Sequence, residues 1–212
     1  MRKRLFCAGC GFLAAFALWT AVVCTVDVQA IGPLGSSVGL AGMNRFFHEW
    51  TGVHFFLYDL TDVLSLAPLA LVGGFGLLGL AQWIRRKQMD RVDADLIVLG
   101  VFYIAVLAAF IFFEKFVVNY RPVLIEGKLE ASYPSSTTML VLCVMPTAMM
   151  QLHRRIGHPG IRKVTLAVMA AFTLLMVLGR LFSGVHWLSD ILGGALLSAG
   201  LVLLYAAAIA RK

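Results

Sequence analysis

ILGGALLSAGLVLLYAAAIA, from Ile191 to Ala210, runs twenty residues without a charged side chain. A helix of that length crosses the roughly 30 Å hydrocarbon core of a bilayer, where only helices and closed barrels satisfy their own backbone. Working outward, Leu5 to Val26, Val63 to Ile84 and Leu96 to Phe113 are comparable runs. Pro134 to Leu152 and Val164 to Gly179 are shorter, yet both are continuous, apolar and flanked by Arg or Lys. Reading all six as helices gives an all-α fold, a six-transmembrane-helix bundle that forms one membrane domain over 1–212. The expected spans lie near 5–26, 63–84, 96–118, 134–152, 164–180 and 186–210, with an outer loop at 27–62. The composition agrees: 60% of the residues are hydrophobic and 14% charged, against about 25% charged in soluble domains, so a soluble globular protein is excluded. The first run exceeds the about 7 to 15 residues of a signal-peptide core and is read as a retained span.

The formal net charge of +7 points to no nucleic-acid partner, because the cations sit in short clusters beside the spans, where they set orientation. A cytoplasmic N-terminus places Arg2, Lys3, Arg4, Arg85, Arg86, Lys87, Arg91, Arg154, Arg155, Arg162, Lys163, Arg211 and Lys212 inside, thirteen of the eighteen Lys and Arg. The C-terminus is then cytoplasmic too, in a multi-pass protein of the cell membrane. Arg45, Lys115, Arg121, Lys128 and Arg180 remain outside, and charges near a bilayer call for a functional reason. The inner connections around 85–95 and 153–163 read as solvated turns. Cys7, Cys10, Cys24 and Cys143 all fall within spans, so no disulfide framework is expected, and Cys7-x-x-Cys10 reads as helix packing. The Gly73-Gly74 and Gly193-Gly194 pairs read as sites of close helix approach.

Between the first two spans, Phe46, Phe47, Trp50, Val53 and Leu57 recur at helical spacing with Asn44, Arg45, His48 and Glu49 between them. This pattern predicts an interfacial amphipathic helix, either an anchor or a lip that guides a lipid head group.

Outer helix ends carry the chemistry. Arg121-Pro122 follows Lys115 after five residues, and Tyr133-Pro-Ser-Ser-Thr-Thr138 is a natural helix start whose free N–H groups attract anions. The fifth span finishes at Gly179-Arg180, and the sixth opens with His186-Trp-Leu-Ser-Asp190, which stacks His186 and Asp190 on one helix face. Two arginines offer bidentate donors to a tetrahedral anion. A histidine oriented by a carboxylate has the arrangement of an activated nucleophile. Carboxylates at metal-ligand spacing are missing here, so neither metal nor cofactor is expected.

These residues resemble the signatures of the type 2 phosphatidic acid phosphatase family of integral-membrane lipid phosphatases. The third signature, Ser-Arg, five residues, His, three residues, Asp, appears as Gly179-Arg180 to His186 to Asp190. The second, Pro-Ser-Ser-His, appears as Pro134-Ser135-Ser136-Thr137. The first, Lys, six residues, Arg-Pro, appears as Lys115 and Arg121-Pro122 with one residue missing, so that Glu114 occupies the lysine position. The resemblance implies an outer-face active site in which His186 forms a phosphohistidine, Asp190 orients it, and Arg180 takes part in catalysis. It further implies that Lys115, Arg121, Ser135, Ser136, Thr137 and Arg180 bind phosphate, and that the partner is a membrane lipid with a phosphate or diphosphate head group.

Thr137 departs from the family pattern, which places there the histidine that protonates the leaving oxygen. A lost general acid costs about 10² to 10⁴ in rate. Three readings follow: a relative that binds lipid phosphates without hydrolysing them; an enzyme that recruits His48, His54 or Glu126; or an enzyme whose leaving group needs little protonation. The third favours diphosphates, with an isoprenoid diphosphate such as undecaprenyl diphosphate the first candidate. The retained His186–Asp190 pair favours a metal-independent phosphoric ester or diphosphate hydrolase. A small membrane transporter is disfavoured by the absence of an inverted repeat and of broken helices. The sequence specifies neither the lipid nor an oligomeric state.

Overall fold

The structure is a computed structural model that describes residues 1–210; the expected inner cations Arg211 and Lys212 lie outside the described residues. These residues form eight α-helices and no strand: α1 (Arg2–Thr25), α2 (Ala41–Thr51), α3 (Phe55–Leu64), α4 (Leu66–Arg86), α5 (Ala94–Lys115), α6 (Ser136–Arg155), α7 (Pro159–Phe182) and α8 (Leu188–Ile209).

Among the described residues, five helical stretches are long and apolar enough to cross a membrane: α1, the α3–α4 pair over Phe55–Arg86, α5, α7 and α8. The fourth expected span, α6, does not qualify, for a physical reason. It is the inner helix, packed against α4, α5, α7 and α8, and it buries Thr137, Thr138, Thr147 and Gln151. A helix walled by protein need not be as apolar as one that faces lipid.

Close approach needs small residues. α1 and α8 run antiparallel, since a Cβ on Gly200 would come within 2.7 Å of Leu13, and one on Gly9 within 2.9 Å of Leu204. The Trp19 indole donates to the Ser189 carbonyl at 3.1 Å where α1 ends beside the start of α8. Gly193 lies under the Tyr133 ring, where a Cβ would sit at 2.6 Å, and Gly194 lies against Thr138 and the Ser135 carbonyl. Gly73 and Gly74, expected to act likewise, have nothing within 4 Å and make no such contact.

Residues 27–62 are mostly helical. The single amphipathic helix expected across Phe46 to Leu57 is broken into α2 and α3, because Gly52 turns to φ +69° and the His54 amide donates to the Ser183 carbonyl at 2.9 Å. Phe46 and Trp50 on α2 are exposed. α3 also precedes the expected second span, with only Ser65 interrupting its run into α4.

At the far end, the connections read as solvated turns are tied together. Arg155 pairs with Asp93 and Asp95, Arg154 with Asp95, and Arg86 with Asp93, at 3.1 to 3.6 Å. Each such half-exposed pair contributes about 1 kcal/mol or less, but together they anchor α5 to α6. All four cysteines are free, with Cys143 alone among them buried.

Gly184, in the α7–α8 turn, has φ +69°, and a Cβ there would lie 2.0 Å from the Gly52 carbonyl oxygen. Gly184→Ala should therefore destabilise by more than about 1 kcal/mol, which appears as a Tm lower by several degrees in detergent. Gly73→Ala, with open space around it, should leave Tm unchanged.

Candidate active site

Six chain segments meet at the end of the bundle where α1 finishes and α6 and α8 begin. α7 delivers Arg180 in its last turn, the α7–α8 turn delivers His186, and the first turn of α8 delivers Asp190. Residues between α5 and α6 form a small hairpin. Ile125 and Lys128 exchange backbone hydrogen bonds at 3.1 and 2.9 Å around Glu126 and Gly127, which have positive φ as a tight two-residue turn requires. Its arms are joined where the Arg121 amide donates to the Glu130 carbonyl and the Ser132 amide to the Asn119 carbonyl, which fixes Asn119 and Arg121. α6 contributes its N-terminus and α3 one turn, Tyr58 to Asp62.

Asp190 is fully buried and engaged on both oxygens. Its Oδ2 accepts from the Trp187 amide at 3.0 Å, capping α8, and lies 3.8 Å from His186 Nδ1, beyond hydrogen-bond length. Its Oδ1 accepts from Asn119 Nδ2 and Ser189 Oγ, both at 3.3 Å. Asn44, buried on α2, donates to Ser189 Oγ at 2.9 Å and accepts from the Ser189 amide at 3.1 Å. His186 Nε2 accepts from Arg121 Nη1 at 3.2 Å, so its proton belongs on Nδ1, facing Asp190. Burial pushes the His186 imidazole down to about 4; Asp190 opposes this, and Arg121 and Arg180 reinforce it. Burial thus favours the neutral ring, whose Nε2 faces Arg121.

Arg180 is 2% exposed. Its Nη1 donates to the Tyr58 carbonyl at 3.2 Å and Thr61 Oγ1 at 3.1 Å. Its Nη2 donates to Asp62 Oδ1 at 3.3 Å and Thr137 Oγ1 at 2.7 Å, and the guanidinium covers the Tyr58 ring at 4.7 Å. Gly179 permits this, because a Cβ there would strike Thr61 Cγ2 at 2.7 Å. Arg121 Nε lies 3.1 Å from Glu130 Oε2, an ion pair not aligned as a hydrogen bond. Among the described residues, Arg121 Nε, Arg180 Nε and His186 Nδ1 are buried without a hydrogen-bond partner.

The expected residues Arg121, Thr137, Arg180, His186 and Asp190 are thus brought together. Ser135 joins them as structure: its amide donates to the Asp190 carbonyl at 3.1 Å, and its hydroxyl caps α6 by accepting from Thr138. The amides of Ser136 and Thr137, in the first turn of α6, have no acceptor within the helix. Lys115 is exposed at the end of α5. Of the acids that might have been recruited, His48 packs on the Trp187 ring at 5.4 Å with its imidazole pushed down by burial. His54 is exposed and bonds the Thr51 carbonyl, and Glu126 sits at the exposed hairpin tip. Sequence reasoning missed Asn44, Tyr58, Thr61, Asp62, Asn119, Glu130 and Ser189. Asn119, two residues before Arg121, and Thr61-Asp62, at the mouth of a span, carried the only legible signal. Among the described residues, no three His, Cys, Asp or Glu side chains could hold a metal.

Apolar membrane-length helices here gather two buried arginines, a buried imidazole and a helix start at one end of a multi-span membrane protein. Residues 109–212 match the model of the PAP2 superfamily. Sphingosine-1-phosphate phosphatase 2 of Mus musculus is 34% identical over 89 residues, 41% of this chain; the match covers a quarter of that protein's length. The crystal structure of a transmembrane PAP2 type phosphatidylglycerolphosphate phosphatase from Bacillus subtilis shares the fold, with a TM-score of 0.59 over 94% of both chains at 18% identity.

The His186 value yields a pH test. It lies below the about 6.5 of an unfolded histidine, so its contribution to stability is complete above 6.5 and is lost as pH falls from there towards 4. In NMR spectra of histidine-labelled protein, the His186 ring should remain neutral until about pH 4, and a midpoint at the ordinary value would refute the burial argument.

Proposed function

We propose that this protein is a membrane lipid phosphatase that hydrolyses a lipid phosphate or diphosphate through a phosphohistidine at His186. The observation that carries the reading is the convergence of buried donors on Arg121 and Arg180 about the accepting nitrogen of His186. A phosphoryl group supplies the acceptors they lack. It would displace Arg121 from Nε2 and take both guanidiniums and the Ser136 and Thr137 amides as partners, leaving Nε2 free to attack phosphorus. Asp190 closes on Nδ1–H and stabilises the developing imidazolium. Fixed cations aimed at the transferring group supply the electrostatic stabilisation, so turnover proceeds without divalent metal.

In this reading α6 is a sixth span, both termini are cytoplasmic, and α2 lies at the outer interface beside the site. Diphosphates are the preferred substrates, an isoprenoid diphosphate first among them, because Thr137 cannot serve as the histidine acid. Its hydroxyl accepts from Arg180, and its alcohol is too weak an acid to protonate an alkoxide, whereas a departing phosphate is already a stable anion.

Purified protein in a chelating buffer should release phosphate from an isoprenoid diphosphate faster than from lipid monophosphates. Thr137→Ser should keep the Arg180 contact and that preference. Binding without release from any lipid would identify a binding protein instead, and activity restored only by magnesium would contradict the metal-free mechanism.

A further inference from the structure

Monophosphate esters need a proton on the departing oxygen, and the position that should supply it holds Thr137. We propose that the Tyr58 hydroxyl is the general acid of this site. The assignment rests on the phosphatase reading above and extends it to a residue in none of the three sequence signatures.

Tyr58 lies on the first turn of α3, and its ring is shared by the two phosphate-binding arginines, with Arg180 at 4.7 Å and Arg121 at 5.9 Å. The same Arg121 touches His186 Nε2 at 3.2 Å. A phosphoryl group on these guanidiniums therefore has the nucleophile one guanidinium away and a phenol one guanidinium away. Other protic groups beside the arginines are committed. Asp62 and Glu130 are ion-paired with Arg180 and Arg121. The Thr61 hydroxyl donates to the Leu57 carbonyl at 2.7 Å. Among the described residues, the Tyr58 hydroxyl enters no hydrogen bond, while its carbonyl accepts from Arg180 and from the Thr61 hydroxyl. His48 faces Trp187 instead.

The chemistry balances. Nε2 attacks phosphorus, the bond to the lipid oxygen breaks, and that oxygen takes the phenolic proton and leaves as the alcohol. The phenolate, beside two guanidiniums, then removes a proton from water. The resulting hydroxide attacks the phosphohistidine, the N–P bond breaks, inorganic phosphate leaves, and Tyr58 and His186 are restored. A phenol, with an ordinary pKa of about 10 against about 6.5 for histidine, is the weaker acid. It supports alkyl monophosphate turnover at a reduced rate and leaves the diphosphate preference in place.

The test compares two monophosphates that differ in leaving group: a long-chain alkyl phosphate, whose alkoxide needs a proton, and nitrophenyl phosphate, whose phenolate does not. Tyr58→Phe keeps the ring under Arg180. It should lower kcat/KM, which ends at release of the leaving group, on the alkyl ester by about 10²-fold or more while kcat/KM on nitrophenyl phosphate stays near wild type. Equal losses on both esters would assign Tyr58 to holding the arginines and overturn the acid role, as would no loss on either. Wild-type protein that releases phosphate from neither ester nor from diphosphates would refute the phosphatase reading itself, and this assignment with it.

Discussion

Burying the Arg180 guanidinium at the end of an apolar bundle is the constraint around which the site is built. An isolated charge removed from water costs several kcal/mol even after relaxation, and this is offset only where hydrogen bonds and counter-charge surround it. One turn of α3 supplies most of them: the Tyr58 ring and carbonyl, the Thr61 hydroxyl and the Asp62 carboxylate, with Thr137 of α6 completing the set. Meeting that demand draws α3 onto α7, which in turn requires Gly179. The charge proposed to bind substrate thus also fixes the packing of three helices.

A second hub forms around Asp190. It caps α8, faces His186, and reaches through Asn119 and Ser189 to Asn44 on α2, while the α6 helix start hangs from its backbone carbonyl through the Ser135 amide. Every segment that carries an expected site residue except Lys115 is linked to one of the two hubs. In polar terms the site is close to a network with no spare acceptors, which is why the three unpartnered buried donors stand out.

How much of this was legible in the sequence follows from which forces are local. Uncharged apolar runs revealed α1 and α4 to α8, and the i, i+4 spacing of His186 and Asp190 placed both on one turn. Three-dimensional demands were not legible. Tyr58, Thr61 and Asp62 read as the end of an outer loop because nothing local shows that Arg180, 118 or more positions later, needs acceptors. Ser135 read as a phosphate donor, although its amide is taken by Asp190. Gly73-Gly74 and Gly193-Gly194 look alike in sequence, and only the second pair has a neighbour close enough to need it. The inner turns read as solvated because their charges were counted by side of the membrane, whereas Asp93 and Asp95 pair across helices with Arg86, Arg154 and Arg155.

The central claim is that His186 Nε2 becomes covalently phosphorylated. Rapid quenching of the protein during turnover of a lipid phosphate or diphosphate, with peptide mass spectrometry under alkaline conditions, tests it most directly. Expected is an acid-labile, base-stable phosphoryl group on His186, absent from His186→Ala, which releases no phosphate. Turnover that survives in His186→Ala, or a phosphoryl group found on another residue, would contradict it.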